Sequence, residues 1–345
     1  MKMNYVVPKV PSSVKLLYID SDPIAYHGAC GVEKTTYNFV NKLSGDETQM
    51  FPDARTAKHW LKDQCEVAEM LGTSFDPDEW ERMSHKEVRS EGEAIKATKS
   101  TLNSWLKYAK GIPFKGYLTE RGVTKTKDVE GLEDRYQGKR GTIVPVHLEA
   151  CRDYLLSCPE FHLLKGGFEA DAACISGAEK RGKKGMLLSI DKDLRQAEGT
   201  YCMDMTYLKT KTKAPMIFYS GDDGVGEIWH CPIKSKPKLK KLTGVGFKFL
   251  CYQAMAGDTS DGYYGLKGVG QETVLNLLAD CRTHKECLDA MYKFYAARGD
   301  VTYQSWDGQT VTKTPLELMH QHLWLAYQER SPSDEFNFDK YDWTI

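Results

Sequence analysis

Carboxylates recur along this 345-residue chain in short, closely spaced groups: Asp20 with Asp22, Glu120, Glu169 with Asp171, Asp191 with Asp193, and Asp258 with Asp261. Gathered at one edge of a fold, they repel severely. Two unit charges about 4 Å apart cost about 4 kcal/mol at an effective dielectric near 20. Cations must neutralise such a group, and oxygen-only donors without His or Cys favour hard ions, Mg²⁺ or Mn²⁺. A pair of such ions is the usual device for phosphodiester hydrolysis, one activating the attacking water and the other stabilising the leaving oxygen. In Asp191-Lys192-Asp193 an extended backbone directs both acids to one side. Asp258 and Asp261 share one face of a helical turn, and Glu169 works with Asp171 if it precedes the first turn of a helix, which Gly166-Gly167 permits.

Three of four apolar runs end at these acids, which suggests how they are positioned. Leu16-Leu17-Tyr18-Ile19 runs into Asp20 and Asp22, Gly116-Tyr117-Leu118 into Glu120, and Met186 to Ile190 into Asp191 and Asp193. The fourth, Phe161 to Leu164, precedes Glu169 and Asp171. Helical spacing lies between them: Pro145 opens one helix with Val144, Leu148, Cys151 and Leu155, and Phe168, Ala172, Ile175 and Ala178 mark another. Strands alternating with helices predict an α/β fold with a mostly parallel sheet covered on both faces. Such sheets bind ligands beyond the carboxyl ends of their strands. A single acid there is more often a helix cap.

Residues 30–110 read as a mostly helical insertion or lid, and the very polar residues 120–142 as a loop or arch. Helices are expected from Phe247 to Met255, from about Gln271 to Ala279, and over 285–330, with a domain boundary near residue 235. Between the first two helices lies Gly262-Tyr263-Tyr264-Gly265-Leu266-Lys267-Gly268-Val269-Gly270, a tight turn whose amides and following helix suit a phosphate.

The formal net charge is −1, from 47 basic and 48 acidic residues, so nucleic-acid binding must come from local patches. Two are visible: Lys234, Lys236, Lys238, Lys240 and Lys241, and Lys125, Lys127, Arg135, Lys139 and Arg140. A lysine run is by itself usually solvated surface. No apolar run approaches the roughly 18 residues of a membrane span, and the N-terminus has no secretory pattern. The ten cysteines contain no CxxC pair and the nine histidines are scattered, which argues for reduced thiols in a cytosol and against zinc.

These motifs resemble the 5′-nuclease superfamily of flap endonucleases and 5′→3′ exonucleases, and most of all the exonucleases of short-tailed phages. The likeness lies in Tyr18-Ile19-Asp20-Ser21-Asp22, the Gly257-Asp258 to Tyr263 segment and Glu335-Phe336-Asn337-Phe338, and covers most of the chain outside 30–110. It implies a PIN-like catalytic domain over 1–235 with the insertion at about 30–110 and a helical arch at about 120–147. It further implies a DNA-binding domain over 236–345 with a helix–three-turn–helix motif. Asp20, Glu120, Glu169, Asp171, Asp191, Asp193, Asp258 and Asp261 then match its metal-ligand positions, holding two Mg²⁺ or Mn²⁺ ions, with K⁺ at the glycine turn. Asp20, Glu169, Asp171, Asp191 and Asp193, with Lys139 and Arg140 of the arch, would carry catalysis. Tyr136 would stack on a base. Lys139, Arg140, Lys238, Lys240, Lys241, Gly265, Gly268 and Gly270 would contact DNA. The implied partner is duplex DNA with a free 5′ end or 5′ flap, or an RNA/DNA hybrid, with no membrane. The implied location is the cytoplasm, that of the host for a phage-encoded chain. Three departures stand out: Ala172 replaces the last Asp of the ExDD motif, Glu120 replaces an Asp, and Gln137 replaces the arch lysine.

Two other readings stay open. Ile19-Asp20-Ser21-Asp22 and Gly257 to Asp261 also fit a haloacid-dehalogenase-like phosphatase, which would need a strand where Phe247 to Met255 reads as a helix. A catalytically inactive PIN-like module that only binds nucleic acid would accommodate Ala172 and Gln137.

Overall fold

The computed structural model describes residues 6–7, 9–124, 127, 132–138, 144–206, 215–233 and 236–345, without the side chains of 6–7, 232–233 and 236–240. In chain order the first elements are β1 (Val6–Val7), β2 (Leu16–Asp20), α1 (Asp22–Cys30), β3 (Glu33–Asn41), α2 (Ala54–Leu71), β4 (Trp80–Val88) and α3 (Glu91–Leu106). There follow β5 (Phe114–Thr119), α4 (Leu148–Leu156), β6 (Phe161–Leu164), α5 (Ala170–Glu179), β7 (Gly185–Ser189), β8 (Tyr201–Asp204) and β9 (Met216–Tyr219). The last are β10 (Glu227–Ile233), β11 (Lys236–Val245), α6 (Gly246–Ala256), α7 (Gln271–Leu278), α8 (His284–Ala296), β12 (Val301–Gln304), β13 (Thr310–Lys313) and α9 (Pro315–Ala326).

Seven strands form one sheet in the order β1-β9-β8-β7-β2-β5-β6. Strands β8, β7, β2, β5 and β6 pair in parallel, while β9 runs antiparallel to both β8 and β1. This is the α/β, mostly parallel sheet that the alternating elements predict. Every residue of β2 and β7 is buried, so these middle strands are covered on both faces, as continuous Leu-rich runs require. Leu16, Tyr18, Leu187 and Cys202 supply one face of a core completed by Cys174, Ile175 and Ala178 of α5. A Cβ at Gly177 would stand 2.3 Å from the Tyr18 ring, so this glycine lets α5 approach the sheet closely.

The chain divides into two compact units, residues 1–24, 102–143 and 155–345, and residues 25–101 and 144–154. The boundary expected near 235 falls inside the first of these. There a large core joins Leu132, Tyr136, Val225 and Ile228 to α6, α7, α8, α9 and the terminal Phe336, Tyr341 and Trp343.

Three segments differ from the sequence reading. Residues 30–110 are only partly helical: β3 and β4 form an antiparallel ribbon along their whole length, and Phe39, Phe51, Ala57 and Trp60 tie it to α2 in a core of the second unit. The alternating Thr35, Tyr37 and Phe39 suit such a strand. Likewise 285–330 holds the β12–β13 hairpin between its two helices. Lys236 to Lys241 lie on β11, paired with β10.

Candidate metal centre

Parallel pairing brings the carboxyl ends of β2, β5 and β7 together, and with them their acids. Asp20 ends β2 and is buried. Its carboxylate accepts the Ser189 hydroxyl from the end of β7 at 3.1 Å, and Ser189 Oγ accepts the Asp191 N–H at 2.9 Å. Asp22 accepts the Thr119 N–H at 3.0 Å, anchoring the start of α1 to the end of β5. Glu169 is the N-cap residue of α5 with extended backbone (φ −86°), and Asp171 occupies the first helical turn. The turn that delivers them uses left-handed backbone at both Gly166 (φ +72°) and Gly167 (φ +81°), as expected.

Asp191 and Asp193 are not carried on extended backbone. Lys192 is helical (φ −67°, ψ −26°) and Asp193 opens a short 3₁₀ turn through Gln196, with its N–H donated to the Asp191 carboxylate at 2.9 Å. Asp258 and Asp261 are not helical either. Helix α6 ends at Ala256 and is capped by Gly257, and a tight turn closes by pairing Asp258 with Tyr263 and donating Asp261 N–H to Asp258 O at 3.1 Å. One member of the first pair still meets both of the second: carboxylate oxygens of Asp193, Asp258 and Asp261 lie within 4.8 Å of one another.

Electrostatics join the two halves. Burial, then repulsion from Asp22 and Asp191, pushes Asp20 well above the usual carboxylate range. Burial and the charges of Glu169, Asp20 and Asp191 do the same to Asp171. Asp191 is pushed up to about 6 by burial and Asp193, with Asp261 adding to the repulsion. Repulsion thus links Asp20 and Asp171 to Asp191, and Asp191 to Asp193 and Asp261. The Glu120 carboxylate accepts the Gly166 N–H at 3.0 Å and braces the turn before α5.

Lys192 meets the repulsion from within. Its ammonium donates to Asp193 Oδ1 at 2.9 Å and to Asp258. Burial would lower its pKa, but the two carboxylates outweigh burial and hold it above the usual range. Burial would raise Asp258, yet Lys192 and the Ser260 hydroxyl hold it below its ordinary value. Gln253 of α6 donates to Asp193, and Gln196 in turn donates to Gln253 Oε1 at 2.8 Å and to Ala326 O at 2.7 Å. Sequence reasoning missed Ser189, Gln196 and Gln253. Only Ser189 carried a local signal, a hydroxyl two residues before an acid.

Several expected DNA contacts stand differently. Tyr136, expected to stack on a base, is buried in the core that includes α6 and stacks on Tyr263 with centroids 6.5 Å apart. Lys127 is no surface cation. It is buried, donates to Tyr327 O, and lies 4.7 Å from the Trp324 ring centroid. Gly265 is a packing position: a Cβ there would meet Gly257 N at 2.4 Å and Met255 O at 2.5 Å. Gly268 and Gly270 face open space, and Gly270 caps α7. Beside them a cleft of about 640 Å³ is lined by Lys192, Lys241, Tyr252, Asp258, Gly270 and Gln271, among others. Lys125, Lys139, Arg140 and Lys234 lie outside the described residues, as do the side chains of Lys236, Lys238 and Lys240. Ala172 is buried in α5, so that position faces the core.

The donor set of Asp193, Asp258 and Asp261 is oxygen only, and burial followed by repulsion between neighbouring carboxylates raises Asp20 and Asp171; such a set fits hard divalent cations. No helix among the described residues is long and apolar enough to cross a membrane. No protein-family model and no curated protein matches the sequence. Among solved structures, the chain is similar to a T5 protein co-crystallised with metal ions, with 14% identity over 67% of this chain and 82% of that one and a TM-score of 0.42. It is also similar to a mutant T5 5′-exonuclease, with 10% identity over 90% and 86% of the two chains and a TM-score of 0.38. A third likeness is to a bacteriophage T5 flap endonuclease in a pseudo-enzyme-product complex with DNA and metal ions, with 14% identity over 67% and 80% and a TM-score of 0.41.

Proposed function

We propose that this chain is a 5′ nuclease that hydrolyses phosphodiester bonds of DNA with two Mg²⁺ or Mn²⁺ ions. The observation that supports the reading is the close approach of Asp193, Asp258 and Asp261, whose carboxylate oxygens lie within 4.8 Å of one another. Asp20, Glu169, Asp171 and Asp191 would hold one ion, and Asp191, Asp193, Asp258 and Asp261 the second. Bound there, the ions supply a nucleophile from water at neutral pH and neutralise charge on the phosphate.

The chain's own residues orient and shield. Ser189 fixes the Asp20 carboxylate, and Gln253 fixes Asp193. Lys192 keeps Asp193 and Asp258 together and offers a cation at the wall of the cleft. Phosphates of a duplex would rest against Lys241 and the open turn at Gly268 and Gly270, a backbone contact blind to sequence. Lys139 and Arg140 of the arch would steer the 5′ end, and the product would carry a 5′-phosphate. Buried polar groups this costly suit a working site better than an inactive module. The phosphatase reading fails on one point: helix α6, not a strand, delivers Asp258.

The test is a 5′-labelled duplex beside a matched 5′ flap and an RNA/DNA hybrid, each digested with Mg²⁺ and with EDTA and resolved by product length. Magnesium-dependent release from the 5′ end is expected. Digestion that persists in EDTA, or starts from the 3′ end, would end the proposal.

A further inference from the structure

Tyr136 is buried against Tyr263, so any aromatic that stacks on an unpaired base is to be sought among the exposed rings. Strands β12 and β13 form a hairpin closed by Ser305 N–H to Gln309 O at 2.8 Å and Gly308 N–H to Ser305 O at 2.9 Å. Trp306 sits at its tip, 43% exposed. Among the described aromatic residues only Tyr26, Tyr264 and Trp306 are exposed, and two of these three flank the segment 132–138. The backbone N–H of Trp306 donates to Leu132 O at 2.9 Å, and the Arg135 guanidinium lies 5.7 Å from the indole centroid. The Tyr264 hydroxyl donates to Asp134.

The same segment grips the acidic turn. Gln137 N–H donates to Asp261 O at 2.7 Å, and a Cβ on Gly262 would stand 2.6 Å from Arg135 O. Residues 132–138 thus connect a metal-ligand turn to a solvated indole that a guanidinium accompanies. A half-exposed tryptophan beside an arginine is how proteins hold unpaired bases without reading sequence: the indole stacks and the cation faces phosphate.

We infer that Trp306 is a nucleobase-stacking residue that holds the unpaired 5′ strand beside the acidic site. The inference rests on the nucleic-acid reading above and names a contact within it. The test uses a duplex with a single-stranded 5′ tail carrying 2-aminopurine, and a blunt duplex as control, titrated in EDTA so that the strand stays whole. The parent should quench the 2-aminopurine and prefer the tailed duplex. W306F should keep both properties. W306L, which keeps apolar bulk but no aromatic face, should melt like W306F, bind the blunt duplex as the parent does, and lose the quenching with roughly five- to hundred-fold weaker binding of the tail. Equal quenching and affinity in W306L and W306F would overturn the stacking role while leaving the nuclease reading intact. Failure of the parent to bind either DNA, both in EDTA and with Ca²⁺ in place of Mg²⁺, would overturn both.

Discussion

The hydroxyl of Ser189 donates a hydrogen bond to the carboxylate of Asp20 across 3.1 Å, joining the ends of two neighbouring strands. The same oxygen accepts the Asp191 N–H, so one hydroxyl sets the position of acids from both strands. Outer partners of this kind are worth about 10–100-fold in metal affinity or activity. Ser189→Ala should therefore lower Mg²⁺-dependent cleavage by about that factor and raise the Mg²⁺ concentration at half-maximal rate. An unchanged magnesium titration would show that Asp20 is held by other means.

Asp191 stands between the two groups of acids. Asp191→Asn preserves shape while removing a charge, so cleavage should fall by more than the roughly 100-fold expected for an outer partner. Binding of duplex DNA should persist, since the variant presents less negative charge to phosphate. Gel-shift and cleavage assays on one substrate decide this, and parent-like turnover with Mg²⁺ would refute it.

Lys192 acts as a built-in cation between Asp193 and Asp258. Lys192→Met should lower stability by about 1–3 kcal/mol, between the exposed and the buried limits for an ion pair. Added Mg²⁺ should then raise the Tm of the variant more than that of the parent. Equal shifts would mean that the lysine and the ions do not share a task.

The raised carboxyl of Asp191, at about 6, and the raised Asp20 and Asp171 fix a sign. The native state holds protons on these groups that the unfolded chain has released, so metal-free stability declines as pH rises from about 4 through about 6. Mg²⁺ should stabilise the protein more at pH 8 than at pH 5. Thermal melts across this range with and without Mg²⁺ provide the check, and a larger Mg²⁺ effect at pH 5 would contradict it.

His322 works in the opposite direction. It is buried in α9, 2.8 Å from the Tyr295 hydroxyl, and burial, with Lys313 beside it, pushes its pKa down to about 3. Its unfolded value is about 6.5, so the stability it confers is complete above that pH and is lost as pH falls toward 3. His322→Leu should flatten the acid limb of a Tm-against-pH curve, which an unaltered limb would disprove.

The parallel sheet was legible in the sequence because strands buried on both faces, such as Leu16 to Ile19 and Met186 to Leu188, must be continuously apolar. The glycine-borne turn before Glu169 and the helices at 246–256 and 271–278 were legible too, since backbone freedom and apolar spacing are local properties. Neither ribbon, β3–β4 nor β12–β13, was legible, because each is half-solvated and its pattern is weak.

The acid residues themselves are written in the chain, and so is the repulsion that demands cations. How they meet is not. Asp193 meets Asp258 and Asp261 through a 3₁₀ turn and a tight loop rather than an extended strand and a helix, because each backbone is set by what packs against it: Gln253 and Lys192 for the first, the end of α6 and Tyr263 for the second. Burial of Tyr136 and Lys127, exposure of Trp306 and the bridging ammonium of Lys192 were likewise decided by the tertiary structure. Residue type fixes which charges and rings are available. Only contacts between segments far apart in sequence decide which of them face water and which face one another.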